Sequence, residues 1–206
     1  MVKQAERREA TRGAIIRAAT TLFGRNGFAA TTVDELAEKA GVAKGAVYHH
    51  FATKEVLFEA VFEAVSHEVS AQVATAARKA PDLLASIGMG TKAYFKICSE
   101  GATGRIILGD GPQVLGWQRW REIDSRHFGA VFPHILEAAI AQGLIDKQPV
   151  VPMANLLLGA VTEAAVACAN SKTPKETGQY YAEAFERLLA GLRRPTPPAK
   201  KTPRKS

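Results

Sequence analysis

The sequence is poor in cysteine, with 2 among 206 residues. Cys98 and Cys168 stand far apart, and neither belongs to a Cys-x-x-Cys pair or to a spacing typical of zinc ligands. A disulfide-stabilised scaffold and a structural zinc site are therefore both excluded as the basis of the fold. We expect two buried, reduced thiols.

Motifs of enzyme chemistry are also missing. The chain has no glycine-rich phosphate loop, no nucleophile elbow and no pair of catalytic carboxylates. His49 and His50 are adjacent, and neighbouring helical residues point about 100° apart, so they cannot chelate one metal together. His127 and His134 are separated by Pro133 and have no evident acidic partner. The sequence predicts no enzyme activity, no cofactor and no metal site.

An uninterrupted hydrophobic run is lacking as well. The most apolar stretch, 151–169, contains Asn155, Thr162 and Glu163. A charge near the middle of a bilayer costs about 3 kcal/mol or more, so this stretch indicates a buried helix rather than a membrane span. The first thirteen residues lack the apolar segment of a signal peptide. We therefore expect a cytoplasmic protein without a membrane partner.

Over most of the chain basic residues barely outnumber acidic ones, although the net charge is +7. Residues 193–206 carry six Lys/Arg and no acid, and the preceding 192 residues are nearly neutral. Net charge alone therefore does not indicate nucleic-acid binding. We predict that 193–206 is a disordered basic tail, which either contacts DNA without sequence preference or serves as a solubilising extension.

What the sequence has in abundance is helical periodicity. It predicts an all-α fold of about nine helices, in four regions: an N-terminal helical domain (1–54), a connecting helix (55–80), a larger helical domain (81–192) and the tail (193–206). The predicted helices are 10–26, 33–40, 43–50, 54–79, 82–99, 104–108, 113–142 with a kink near 129–133, 151–169 and 174–192.

Two of these helices form the pattern of a helix-turn-helix. Thr32 and Glu35 have the spacing of a capping box, which starts a helix at Val33. Gly41 is suited to the left-handed conformation that ends it. The next helix follows after only two residues, as in a helix-turn-helix.

The second helix carries a surface suited to a DNA groove. Lys44 supplies a cation, Gly45 and Ala46 permit close approach, and Tyr48 and His49 carry hydrogen-bond donors. The alternative is an ordinary helical hairpin in which the Tyr and His side chains cover a core.

Residues 10–60 resemble the N-terminal domain of the TetR family of transcriptional regulators. The most specific part is GVAKGAVYHHFATKEVLF, in which Ala43 departs from the Ser or Thr that the family often carries. Losing that cap should cost the helix about 1 kcal/mol. The resemblance implies a homodimer that binds a palindromic double-stranded DNA operator. It implies phosphate contacts from Thr31, Thr32, Tyr48, His49 and Lys54, with Lys44, Gly45 and Ala46 along the base edges.

The C-terminal half carries a weaker resemblance. The stretch DGPQVLGWQRW is similar to a segment in the effector-binding domains of some TetR regulators, which implies a small-molecule pocket. Candidate lining residues are Phe95, Trp117, Trp120 and Phe128, and the alternative is that both indoles belong to the core. The resemblance implies that residues 151–192, the last two helices, form the dimer interface; the alternative is that 151–169 is the core helix of a monomer.

These patterns predict a sequence-specific transcriptional regulator, a repressor released by a small-molecule effector. Two alternatives remain: a DNA-binding protein without sequence preference, and a helical ligand-binding protein or enzyme without an operator. The first would show steep salt dependence and no shared site. The second would bind or turn over a ligand without binding DNA.

Overall fold

The computed structural model describes residues 2–99 and 101–195, which form eleven α-helices and two π-helical segments, with no strand in these two ranges. The α-helices are α1 (Val2–Asn26), α2 (Val33–Ala40), α3 (Lys44–His50), α4 (Lys54–Ala77), α5 (Leu83–Cys98), α6 (Gly101–Gly104), α7 (Gly111–Leu115), α8 (Trp117–Asp124), α9 (Val131–Ala141), α10 (Val150–Ala169) and α11 (Pro174–Gly191). The π-helical segments are Arg105–Asp110 and Ser125–Gly129. If each is treated as a distortion inside a longer helix, the described chain contains nine helical units. The predicted all-α fold is confirmed.

The N-terminal helices enclose a small core of their own. Phe23 of α1, Phe28 of the following loop and Phe58 of α4 contact one another, with ring centroids 5.3 to 5.6 Å apart. Leu36 of α2 and Val47 of α3 are buried in the same core. This packing holds α3 on the outside of the unit.

Helix α4 connects this unit to the rest of the molecule. It begins at Lys54, where the Thr53 hydroxyl caps it by accepting a hydrogen bond from the Val56 amide at 3.3 Å. Its 24 residues span about 36 Å at 1.5 Å per residue. Buried residues from Leu57 to Val69 contact first the N-terminal core and then α5. One continuous helix therefore joins the two halves.

The C-terminal helices pack around α5, which contacts α4 on one side and α11 on the other. Helix α10 packs against α9 and α11. It is long and apolar enough to cross a membrane by composition. Eight of its residues are buried against these neighbours, which identifies it as a helix of the folded core.

The structure differs from the predicted helix boundaries at three points. Helix α1 begins at Val2 instead of Ala10. Residues 109–112, which lie between two of the predicted helices, are themselves helical, because α7 follows the π-helical segment directly. The Asp110 carboxylate accepts a hydrogen bond from the Phe28 amide at 2.8 Å. The chain instead breaks at Gly116, where φ is +75°. The predicted kink near 129–133 is present as the second π-helical segment and the turn after it.

The predicted tail begins too early. Arg193 donates two hydrogen bonds to the Asp82 carboxylate, at 2.7 and 2.8 Å. The Arg194 amide donates to the Leu144 carbonyl at 2.9 Å, and its side chain pairs with Asp146. These contacts fix both arginines on the folded domain. The remainder of the predicted tail, 196–206, lies outside the described residues.

Candidate nucleic-acid interface and ligand cavity

The turn between α2 and α3 is set by two local features. The Thr32 hydroxyl accepts from the Glu35 amide at 3.3 Å, while the Glu35 carboxylate accepts from the Thr32 amide at 2.8 Å. The Thr32 amide and the Thr32 hydroxyl both donate to the Glu35 carboxylate, each at 2.8 Å, and these two hydrogen bonds hold the pKa of Glu35 below its usual value. Gly41 ends α2 in the left-handed conformation, with φ +68°. The predicted capping box and turn are both confirmed.

Helix α3 has one buried and one open face. Val47 is buried against the N-terminal core. The opposite face exposes Lys44, Gly45, Tyr48 and His49 to solvent. This face projects from the body of the protein, as a helix that enters a DNA groove must. The alternative prediction, an ordinary helical hairpin, would have buried the Tyr48 and His49 side chains. In the structure both are exposed.

Gly45 has no structural reason within the protein to be glycine. A Cβ atom added there would meet no heavy atom within 4 Å. A glycine inside a helix costs about 1 kcal/mol relative to alanine. The packing of the described residues therefore does not require a glycine at this position.

Lys44 forms an ion pair with Asp34 of α2, with Nζ and Oδ2 3.0 Å apart. The hydrogen bond and charge of Asp34 raise the pKa of Lys44. Both side chains are more than half exposed, and exposed pairs of this kind are weak. Lys44 can therefore exchange its partner for a DNA acceptor.

Three of the predicted phosphate-binding residues are instead engaged inside the protein. Lys54 Nζ donates to the carbonyls of Phe28 at 2.9 Å and Thr31 at 3.0 Å, and it lies 4.2 Å from the centre of the Phe28 ring. Thr31 is fully buried, and its hydroxyl donates to the Gly27 carbonyl at 2.8 Å. The Thr32 hydroxyl is held by the capping box. Lys54 thus fixes the α1–α2 loop to α4, while Thr31 bonds within that loop and Thr32 bonds to the first turn of α2.

A second candidate site is a cavity of about 900 Å³ in the C-terminal half. This volume lies in the range of roughly 300–1,000 Å³ that is usual for small-molecule sites. Side chains of α4, α5, α8, α9, α10 and the second π-helical segment line it, and most are apolar. Thr91, Tyr94 and Asp124 are the buried polar residues of its lining, and together with the half-buried His127 they form what we call its inner end.

Of the four predicted effector-binding residues, Phe128 lines this cavity and the other three do not. Trp120 is completely buried and donates its indole N–H to the Ile107 carbonyl at 2.8 Å. Trp117 is half exposed and stacks on Trp120. Phe95 is buried on the side of α5 that faces Gly178 of α11. The structure thus places Trp120 and Phe95 in the core. The sequence could not distinguish the two positions, because a large aromatic side chain can fill a core or line a pocket.

The sequence reasoning missed Asp124, the acid at the inner end of the cavity. The residue is 4% exposed, and Tyr94 Oη donates a hydrogen bond to its Oδ1 at 3.2 Å. Burial raises the pKa of Asp124 to about 6, against the opposing effects of Tyr94 and two nearby basic residues. The sequence did contain a signal, because Asp124 follows Trp120 by one helical turn and so shares its buried face.

A cluster of ion pairs lies between the cavity and the connecting helix. His127 Nε2 is 2.7 Å from Glu63 of α4, and Arg126 pairs with the same carboxylate at 2.9 Å. Arg119 of α8 pairs with Glu59, one turn earlier on α4. These contacts therefore join α8 and the second π-helical segment to α4, the helix that leads to the N-terminal unit.

The described residues contain no group of three or more His, Cys, Asp or Glu side chains placed to hold a metal ion. Cys98 and Cys168 are both free and buried, as predicted. Burial is the main cause that raises the pKa of both thiols.

Comparisons with known proteins give a consistent assignment. Residues 15–61 match the family described as bacterial regulatory proteins, tetR family, and residues 85–192 match the tetracyclin repressor-like C-terminal domain. The N-terminal part is 51% identical over 43 residues to the uncharacterised regulator YerO of Bacillus subtilis, a match that covers 21% of this chain and 15% of YerO.

Two solved structures cover nearly the whole chain. A TetR-family transcriptional regulator from Pectobacterium atrosepticum superposes with a TM-score of 0.82 at 28% identity, covering 91% of this chain and 96% of that one. RolR in complex with resorcinol superposes with a TM-score of 0.71 at 21% identity, covering 94% and 98% of the two chains. At that identity the second likeness concerns the fold alone.

Proposed function

Because this chain belongs to the TetR family of bacterial regulatory proteins, and is on that ground a DNA-binding transcriptional regulator, we propose that it is a cytoplasmic repressor released from its operator by a small molecule. The observation that carries the DNA-binding part is the open face of α3, where Gly45 leaves unoccupied space between Lys44 and Tyr48. A helix with this face can lie deep in the major groove, with Lys44, Gly45 and Ala46 along the base edges. Tyr48 and His49 then reach the flanking phosphates.

The operator contacts need revision for three residues. Thr31 and Lys54 support the interface from within, since their polar groups hold the α1–α2 loop. Thr32 is exposed at the start of α2, but its hydroxyl is engaged in the capping box. We therefore assign to Thr31 and Lys54 the role of positioning α3 rather than that of phosphate ligands.

A homodimer through α10 and α11 is the second part of the proposal. Both helices retain large exposed apolar side chains, including Leu156 (69% exposed), Tyr180 (71%) and Leu188 (47%). Gly159 of α10 is a helical glycine whose added Cβ would meet no atom within 4 Å. Large apolar residues beside an open small one are typical of a close helix–helix interface. Two-fold symmetry would then present two α3 helices to a palindromic operator.

Release by an effector is the third part. The cavity contacts α4, and α4 begins next to α3, so a ligand that favours one position of α4 changes the position of the recognition helix. A ligand can act in this way only if it binds the DNA-incompetent arrangement more tightly than the competent one. The solved complex of RolR with resorcinol supports a small molecule as the effector of this fold.

The proposal is tested by selecting genomic DNA fragments on the purified protein at near-physiological salt. A palindrome shared by the retained fragments is the expected result. The Lys44→Ala variant should lose at least tenfold in affinity for that palindrome, while Lys147→Ala, which removes an equally exposed lysine before α10, should bind normally. Retention of unrelated fragments, abolished by moderate salt, would instead identify a DNA-binding protein without sequence preference.

A further inference from the structure

The carboxyl group of Asp124 is unusual among the groups that line the cavity. It is almost inaccessible to bulk solvent, and Tyr94 is its one hydrogen-bond donor among the described residues. A carboxylate offers about four acceptor positions, so one hydrogen bond leaves most of its capacity unused. Burying a charge without adequate partners is costly, and proteins keep such groups mainly where they have a role.

Burial raises the pKa of Asp124, and two basic residues near this carboxyl, Arg121 and His127, lower that pKa by their charges to a smaller extent. Arg78 lies at the rim and donates to the Thr75 hydroxyl. Asp82 also lies at the rim, where Arg193 neutralises it. Arg121 is exposed on α8, and His127 pairs with Glu63 of α4. Among the described residues, Asp124 therefore has no ion-pair partner, and its one hydrogen bond comes from Tyr94.

Aromatic rings and aliphatic side chains complete the inner end. The ring of Tyr94 contacts that of Phe128, with centroids 4.8 Å apart, and both residues line the cavity. An aromatic face beside a carboxylate attracts an organic cation through the ring quadrupole as well as through charge. The aliphatic side chains of the lining include Val73, Ile87, Ile135, Leu158 and Val161.

We propose that the cavity binds an apolar molecule that carries a protonated amine, with the ammonium group donating to Asp124 and the apolar body between α4, α5, α9 and α10. This inference rests on the proposed function, since it names the effector class of the same cavity. Burial raises the pKa of Asp124 to about 6, so the group is mostly ionised near pH 7.5. An ammonium ligand gives the Asp124 carboxylate an ion-pair partner through a charge-assisted hydrogen bond, which is stronger than a neutral one.

Three probes that share one apolar body distinguish the head groups: 4-phenylbutylamine, 4-phenylbutan-1-ol and 4-phenylbutanoate. Their dissociation constants are measured by calorimetry on the full chain at pH 7.5. We expect the amine to bind at least tenfold more tightly than the carboxylate and more tightly than the alcohol. The amine should lose at least tenfold in affinity for the Asp124→Asn variant, and the alcohol less than threefold.

The matched control is Glu137→Gln, which removes one acidic charge from the exposed surface of α9. It should leave all three affinities unchanged. If the Asp124→Asn variant does not fold, the ranking of the three probes on the unaltered protein still decides which head group the cavity prefers. Tighter binding of the alcohol or the carboxylate would overturn the amine class, and so would the absence of amine binding at millimolar concentration.

The proposed function is tested separately by operator binding of the same preparation without any probe. Specific binding to a palindrome together with a preference for the carboxylate would overturn only the amine class. Tight amine binding without any operator would overturn the repressor and leave the ligand class intact.

Discussion

His127 Nε2 lies 2.7 Å from Glu63 Oε2, which joins the second π-helical segment to the middle of α4. Burial would raise the pKa of Glu63, but the hydrogen bonds and charges of His127 and Arg126 outweigh it and lower the value. A carboxylate with a lowered pKa stabilises the fold above its unfolded pKa, and this contribution is lost as the pH falls through the folded value.

Replacing Glu63 by glutamine should therefore reduce the free energy of unfolding by about 1 kcal/mol at pH 7, because the pair is only partly buried. The difference from the unaltered protein should shrink below the ordinary pKa of 4.5. Urea denaturation at pH 7 and at pH 3.5 measures both values. Equal stability of the two proteins at pH 7 would show that the contact is energetically neutral.

Replacing Asp124 by asparagine should have the opposite effect. The pKa of Asp124 is raised from 3.8 to about 6, so the folded state favours the protonated form and loses stability as the pH rises through this interval. A shift of that size corresponds to about 3 kcal/mol of destabilisation above pH 6. The Asp124→Asn variant keeps an acceptor for Tyr94 and should be more stable by 1–3 kcal/mol at pH 7.5, with little difference at pH 4. A variant less stable than the original at pH 7.5 would contradict this assignment.

Replacing Gly45 by a larger residue should raise the stability of the protein and lower its affinity for the operator. Its Cβ position is open, so alanine or leucine should raise the free energy of unfolding by roughly 0.5–1 kcal/mol through helix propensity. Operator affinity should fall modestly for Gly45→Ala and by at least tenfold for Gly45→Leu. Thermal unfolding and fluorescence anisotropy with a labelled operator measure the two quantities. Unchanged affinity of the leucine variant would exclude α3 from the DNA surface.

Replacing Lys54 by methionine should destabilise the protein. Its ammonium group holds two carbonyls of the α1–α2 loop and contacts the Phe28 ring, so we expect a loss of 1–3 kcal/mol. Lys39→Met, a change at an exposed lysine of α2, should stay within about 0.5 kcal/mol. The salt dependence of operator binding should have the same slope before and after the Lys54 change. A slope reduced by about one would show that Lys54 does contact a phosphate.

An arginine at Leu156 or Leu188 should convert the dimer into a monomer. Both side chains are exposed on the proposed interface, where an unpaired charge would be desolvated. Light scattering after gel filtration measures the mass, which is 22.1 kDa for one chain. The Val56→Arg variant, with a side chain of comparable exposure on α4, should remain dimeric. A dimer that persists in both interface variants would place the contact elsewhere.

Local sequence signals were sufficient for the DNA-binding unit. The Thr32–Glu35 pair, Gly41 and Thr53 fix helix ends through contacts within a few residues, and the structure has each of them. The surface predicted for α3 followed from its residue types, and the structure exposes Lys44 and Tyr48. Such features depend on the nearest neighbours in the chain, so the sequence alone specifies them.

The sequence by itself determined the all-α class, the helix-turn-helix and the buried thiols, because periodicity and capping act over one or two turns. The tertiary structure decided which groups meet across long distances. It placed Trp120 in the core and Asp124 in the cavity, turned Lys54 inward, and fixed Arg193 on Asp82. An aromatic or charged side chain has no local preference between a core, a pocket and a surface. Its position follows from the packing of helices that are distant in sequence, and only the folded chain defines that packing.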